Sequence, residues 1–291
     1  MPDWDLGQLR ALAAAADLGT LDAAARALHV TPSAVSQRIK ALEQQTGAVL
    51  LRRERPVRPT VAGEPLVRLA RQLDALTADA TRHLADRPVP HVALAVNGDS
   101  LTTWLLPALA PLADRVAVQL VREDQDRSAA LLRDGSVMAA VTAEAVAVQG
   151  CGVEALGVMR YRPYATPAFR DRWFAGGATA AALTVAPVVV FDAADRLQDR
   201  WLERRGADPL APPRHLVPAS ADFATAVRLG FGWGMLPDQQ SADDVAAGRL
   251  VPLDARAHVD VPLFWQQWSL RTRALDEVAE HVRRAARAAL R

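Results

Sequence analysis

The stretch from Thr20 to Gly63, TLDAAARALHVTPSAVSQRIKALEQQTGAVLLRRERPVRPTVAG, leaves few choices of fold. Leu21 to Leu28 reads as a short helix, with Thr20 as its N-cap and Asp22 in the positive first turn. His29 and Val30 make a turn. Thr31 then caps a second helix that opens on Pro32, where a missing N–H costs nothing. Wound at about 100° per residue, this helix gathers Val35, Ile39 and Leu42 on one side, ready to pack on Ala24, Ala25 and Leu28. Ser33, Ser36, Gln37 and Lys40 fall together on the other side.

That outer face is slim and polar, with hydroxyl and amide groups near the helix start and a cation further along. Such a face suits insertion into a major groove. Ser33, Ser36 and Gln37 are placed to reach base edges and Lys40 to meet a phosphate, and Thr31, Pro32 and Arg38 belong to the same candidate surface. Beyond Gly47, Val49–Arg52 and Val57–Thr60 read as the two strands of a wing with Arg55–Pro56 at its tip. Arg52, Arg53, Arg55 and Arg58 are there to grip backbone phosphates. Between residues 26 and 60, seven Lys or Arg face two Glu, an excess of five positive charges in a chain whose total is +1. A solvated basic surface on an ordinary three-helix module is the plain alternative. Turn, caps, polar face and wing agree against it.

The whole chain of 291 residues has room for two or three modest domains with real cores. Half apolar and 23% charged, it reads as globular. A single cysteine, Cys151, excludes an internal disulfide and any multi-thiolate metal site and fits a reducing cytosol. No export signal and no apolar run of roughly 20 residues is visible, so a cytoplasmic location without a membrane role is expected.

In chain order, residues 4–17 form a helix ending at Gly19, completing a three-helix base. A long helix from about Val61 to Leu84 follows, with Leu66, Leu69, Ala70, Leu73, Leu76, Ala80 and Leu84 stepping by three and four. Such a stripe extends beyond the first core and predicts pairing with the same helix of a second chain; packing on the chain's own C-terminal domain is the alternative. Arg87–Pro90 is a stiff hinge. Short strands at His91–Val96, Val116–Val121, Val137–Val141 and Val153–Arg160 then come with helices at Leu101–Ala113 and Asp126–Arg133, as in βαβ units with a parallel sheet. A second set has strands at Pro187–Phe191, Arg214–Pro218, Gly232–Leu236 and Leu250–Leu253, with helices at Asp192–Arg205, Ala221–Leu229 and Asp238–Ala246. Val261–Trp268 is one more strand, and helix Ala274–Leu290 closes the chain. Two small α/β lobes suggest a clamshell.

Ligands of open α/β sheets bind beyond the carboxyl ends of the strands. After the first strand come Asp99, Ser100 and Trp104, where Ser100 can cap a helix whose free N–H groups attract a carboxylate. After the second comes the acidic run Glu123-Asp124, and after the third Thr142 and Glu144. One wall then suits an anion and another a cation, as a basic amino acid requires. A merely capping serine and a solvated acidic loop fit the same residues.

TLDAAARALHVTPSAVSQRIKALEQQTG, LLRR and T60-VAG63 resemble the winged helix-turn-helix of the LysR-type transcriptional regulators. Leu51 replaces a usual Phe and Pro59 a usual Leu, without loss of a DNA contact. NGDSLTTWLLPAL, VREDQDRSAALLRDGSVMAAVT, QGCGVEALGVMRY, LQDRWL and AVRLGFGWGMLP resemble the ArgP/LysG-type branch of that family. The resemblance implies an α+β multi-domain protein with a winged helix-turn-helix over 1–60, a linker and dimerisation helix over 61–86 and a hinge at 87–90. An effector-binding domain of the two-lobed, periplasmic-binding-protein-like kind follows over 91–291, lobe I about 91–162 and 265–291 and lobe II about 163–264. It implies no cofactor, a lysine or arginine effector at Ser100, Trp104, Asp124 and Thr142, with Asp99, Glu123 and Asp222 as further positions, and control of an amino acid exporter gene. It also implies a dyad site on double-stranded DNA, contact with RNA polymerase, a homodimer assembling to a homotetramer, and a place at the nucleoid.

Rival readings are a LysR-type regulator for another effector and a less specific DNA-binding or replication-inhibiting protein. A winged helix fused to a pyridoxal-phosphate enzyme needs a Schiff-base lysine, and Lys40 is the only lysine. No GxSxG elbow, HExxH or P-loop points to another enzyme.

Overall fold

The structure, a computed structural model, describes residues 4–52, 54–81, 89–123 and 125–291. Helix α1 (Leu6–Leu18) starts on Asp5, whose side chain accepts from Gln8 N, and stops at Gly19 in the left-handed region. Helix α2 (Leu21–Ala27) is capped by Thr20, and α3 (Pro32–Thr46) by Thr31. Strands β1 (Leu51–Arg52) and β2 (Arg58–Pro59) pair antiparallel as a short wing. Leu9, Leu12, Val35, Ile39 and Leu42 form the centre of this head; each such side chain contributes about 1.5–3 kcal/mol by leaving water.

Helix α4 runs over Glu64–Ala80, shorter than the expected Val61–Leu84, and its packing differs from expectation. Leu66, Val67 and Ala70 are buried in the head's own core, with Leu69 and Leu73 packed against it. Proximity explains this: the wing returns to Gly63 beside Leu50, so α4 starts flush against α1. Of the expected stripe, Leu76 and Ala80 stay exposed, and Leu84 lies outside the described residues, as do Arg87 and Pro88 of the hinge.

The second part opens with β3 (His91–Val96), followed without a break by α5 (Gly98–Ser100), a π-helical turn over Leu101–Leu105, α6 (Leu106–Leu109) and a 3-10 turn over Ala110–Leu112. Strand β4 (Ala117–Arg122), α7 (Gln125–Asp134) and β5 (Ala139–Thr142) complete a parallel β4-β3-β5 unit. Strand β6 (Cys151–Ala165) is far longer than the expected Val153–Arg160. Its charged residues hid its length: Arg160 pairs with Asp260 through two 2.7 Å bonds, and Arg162 reaches Asp238 at 3.0 Å.

Helices α8 (Pro167–Trp173) and α9 (Ala180–Val185) were not anticipated, although Thr166–Pro167 repeats the Thr31–Pro32 start signal. Strand β7 (Val188–Val190), α10 (Leu197–Arg204), β8 (Arg214–Leu216), α11 (Ser220–Arg228), β9 (Gly234–Pro237), α12 (Asp238–Ala246) and β10 (Val251–Pro252) follow. Strand β11 (Val259–Trp268) and α13 (Arg273–Ala289) close the chain.

The large sheet has the order β10-β6-β11-β5-β3-β4, with β9 also on β6. It is mixed where a parallel sheet was expected, because β6 and β11 run antiparallel to their neighbours. Strand β6 pairs with β11 from Cys151 to Tyr161, and its end pairs with β9 and β10. Strands β7 and β8 are parallel and join through Trp233, whose carbonyl accepts from Val189 N at 2.8 Å. Strands β6 and β11 thus link two α/β lobes, behind a winged helix-turn-helix and its linker helix. No helix among the described residues is long and apolar enough to cross a membrane.

Candidate functional site

His29, between α2 and α3, has φ of 54°, a left-handed turn that lets α3 cross α2. On α3, Pro32, Ser33, Gln37 and Lys40 are exposed and Ser36 is half-buried. Thr31 serves the helix: its hydroxyl accepts from Ala34 N and lies 3.0 Å from that of Ser33. Arg38 turns aside, its guanidinium beside Gly7 of α1. Arg52, Arg55 and Arg58 project from the wing and are exposed; Arg53 lies outside the described residues. Lys40 and these three arginines hold no carboxylate among the described residues, whereas Arg160, Arg162 and Arg214 are all paired. A polar ridge and free cations on a short hairpin present the geometry of a DNA-reading face.

The second site is a cavity of about 430 Å³ at the carboxyl ends of β3 and β7. Asp99, at the start of α5, accepts from the Tyr161 hydroxyl at 2.7 Å and from the Ser220 hydroxyl at 2.5 Å. Across the cavity the Phe191–Leu197 loop folds around two carboxylates. Asp192 Oδ1 accepts from Ala194 N and Asp195 N. Asp195 accepts from Phe191 N with one oxygen and from Leu197 N with the other, each at 3.0 Å. These turns displace the expected helical start, so α10 begins at Leu197 rather than Asp192.

Burial pushes the Asp195 carboxyl above its ordinary range. Backbone N–H groups of Leu197 and Phe191 oppose that shift, and the nearby Asp99 charge adds to it. Burial, and then Asp99, also hold the Tyr161 phenol well above its usual value, so it remains a proton donor. Asp99, Asp192 and Asp195 have no ion-pair partner among the described residues. Arg196 in the same lining is occupied by Asp199 and Glu203, while Arg200 holds no carboxylate there. Asn97 Oδ1 and Gln240 Oε1, on lining residues, are buried polar atoms without a partner.

Of the effector positions expected from sequence, Asp99 lines this cavity. Ser100, one step further round the helix, points into the protein with its hydroxyl unpartnered. Trp104 is buried in the core at the π-helical turn, and Thr142 is buried with its hydroxyl accepting from Glu144 N. Glu123 pairs with Arg127 on the outside, Asp222 is exposed on the first turn of α11, and Asp124 lies outside the described residues. Asp192, Asp195, Ser220 and Gln240 were missed. The signal was an Asp-x-x-Asp at the carboxyl end of β7, read as helix.

The model of the "Bacterial regulatory helix-turn-helix protein, lysR family" matches residues 6–64, and that of the "LysR substrate binding domain" matches residues 85–287. The lysine export transcriptional regulatory protein LysG of Corynebacterium efficiens is 46% identical over 280 residues, 94% of this chain and 95% of its own. The crystal structure of ArgP from Mycobacterium tuberculosis superposes with a TM-score of 0.90 at 45% identity, covering 98% of each chain. Full-length LysG from Corynebacterium glutamicum with bound effector Arg gives 0.81 at 37% identity, covering 99% of each. With the reading face, the linker helix and the two-lobed domain all matched from end to end, the chain belongs to the LysR family of DNA-binding transcriptional regulators.

Proposed function

We propose that this regulator senses a basic amino acid, lysine or arginine, in the cavity between its lobes and controls an amino acid exporter gene. The observation that carries this reading is the trio of carboxylates Asp99, Asp192 and Asp195, already ordered by hydrogen bonds and without a cation of their own. A half-enclosed site of that charge favours a cation. An ammonium or guanidinium group fits between Asp99 on one lobe and the Asp192–Asp195 loop on the other, while Arg200 offers a partner to the ligand's carboxylate. Two relatives named for lysine export and for bound Arg support the same ligand class.

A ligand spanning both lobes shifts their arrangement to the extent that it binds the two arrangements unequally. In this reading the head spans 1–60, the linker 61–86, the hinge 87–90 and the sensor 91–291. The exposed end of α4 pairs two copies, the sensors join dimers into tetramers, and the heads occupy successive major grooves of a dyad site within reach of RNA polymerase, in the cytoplasm at the nucleoid. Calorimetric titration of the purified protein with the twenty amino acids tests the reading. Saturable binding confined to lysine, arginine or histidine is expected; binding of a neutral or acidic member alone would overturn it.

On the DNA side, Gln37→Ala should cost about 1–3 kcal/mol at one base position and relax choice there. Equal weakening on every sequence would remove Gln37 from base contact. Arg58→Ala should weaken all sequences alike and reduce the slope of log affinity against log salt by about 0.9. An unchanged slope would exclude a phosphate contact.

A further inference from the structure

Helix α4 lies between the head and the sensor, and both grip it. On the head side, Arg10 of α1 donates to Asp74 at 2.6 Å. On the sensor side, Asp79 accepts from Arg273 N at the start of α13 at 3.2 Å. Arg68 reaches the Gln149 carbonyl at 3.3 Å. Gly135, just after α7, sits so close to Arg68 that an added Cβ would lie 3.0–3.3 Å from its Cα, Cβ and Cγ atoms. Arg71 bonds both sides at once. One guanidinium nitrogen, Nη2, donates to Asp17 near the end of α1, and the other, Nη1, donates to the Asp134 carbonyl at 2.6 Å, with the Asp134 carboxylate 3.6 Å away. Its side chain is only 19% exposed, so these bonds are partly shielded from water and salt.

We propose that Arg71 is the positioning residue that transmits sensor movement to the DNA-binding head within a single chain, by holding the end of α1 and the end of α7 in one fork. A planar guanidinium with two donor edges can hold both partners in fixed geometry, which a lysine ammonium cannot. Asp17 and the end of α7 both bond to it, so its removal leaves the Asp17 carboxylate and the Asp134 carbonyl without this donor and loosens both attachments. Head and sensor then keep their own cores, since α1 is packed through Leu9 and Leu12 and α7 through Leu132.

Arg71→Met, Arg71→Lys and Asp134→Asn, each in the full-length protein, test this with two independent readouts. The first is amide hydrogen exchange without ligand. Exchange at residues 15–19 and 131–137 should rise at least fivefold in Arg71→Met, with Arg71→Lys and Asp134→Asn between it and the parent, and α3 unchanged. The second rests on the effector reading above: arginine affinity and ligand-free DNA affinity should each stay within about threefold of the parent, while the change in DNA affinity caused by arginine shrinks at least fivefold. Unchanged exchange at both segments would overturn the proposal, as would an undiminished arginine effect on DNA. A parent protein that ignores arginine would sink the effector reading and leave the exchange result to decide on Arg71. Should Arg71→Met fail to fold, Asp17→Ala removes the side-chain acceptor on α1 and cuts that arm of the fork; exchange at residues 15–19 should then rise at least fivefold and the arginine effect on DNA should shrink, and the absence of both changes would overturn the proposal.

Discussion

Asp195→Asn should abolish most of the affinity for arginine or lysine, by about 2–4 kcal/mol, which is roughly 30- to 700-fold in Kd. The carboxylate is held by two backbone N–H groups, so it is ordered before any ligand arrives and loses little freedom on binding. Burial also holds its pKa above the ordinary carboxylate range. Calorimetry on the variant is the measurement, with DNA affinity as the control; unchanged amino acid affinity would remove Asp195 from the site. The pH dependence has a definite sign. Because the folded protein holds the Asp195 proton more tightly than the unfolded chain does, ligand-free stability falls as pH rises through the raised pKa. A cation beside the carboxylate favours its charged form. Arginine should therefore bind more weakly as the pH is lowered into that range, release protons when it binds there, and raise the melting temperature more on the alkaline side than on the acid side. An arginine effect on melting that grows toward acid pH would contradict the assignment.

Gly63→Ala should disable the head while sparing the sensor. A Cβ at residue 63 would lie 2.0 Å from the Leu50 carbonyl oxygen and 3.0 Å from its carbon, both backbone atoms that cannot swing aside. The same corner is closed by Thr60, whose N–H donates to the Leu50 carbonyl at 2.9 Å and whose hydroxyl donates to that of Val49 at 2.7 Å. Forcing it open moves the wing away from α4 at a cost of about 3 kcal/mol. The expected outcome is loss of DNA binding on every sequence and an early unfolding step, with arginine titration intact. A variant that binds DNA as the parent does would show that the wing and α4 do not meet at Gly63.

The head was legible from sequence almost residue by residue because its boundaries are set by local chemistry. Thr20, Thr31 with Pro32, Gly19 and Gly47 each act within one turn of their own position, and the structure uses each as a cap or stop. Long-range partners were not legible. The apolar stripe of α4 declares that one face is covered but not by what, and α1 covers half of it. In the sensor, most strands and helices followed from alternating apolar runs, but α8, α9 and the mixed sheet did not, and β6 outran its apolar segment because its arginines find aspartates on β11 and α12. Of the expected effector positions that are described, Asp99 alone lines the cavity. The rule that ligands meet strand ends led to Asp99, while Asp192 and Asp195 were counted as helix. Their carboxylates capture backbone N–H groups and delay the helix by about one turn, a competition that composition alone does not resolve.

Lys40 stands exposed on the ridge of α3 and is the sole lysine of the chain. Any reagent selective for ε-amines will therefore mark one side chain, on the helix proposed here to meet the duplex. With α3 docked in that way, acetylation there would erase one charge at the contact and alter no other side chain. A dye coupled at that atom would report occupancy of the operator directly, and bound DNA would shield the amine from modification.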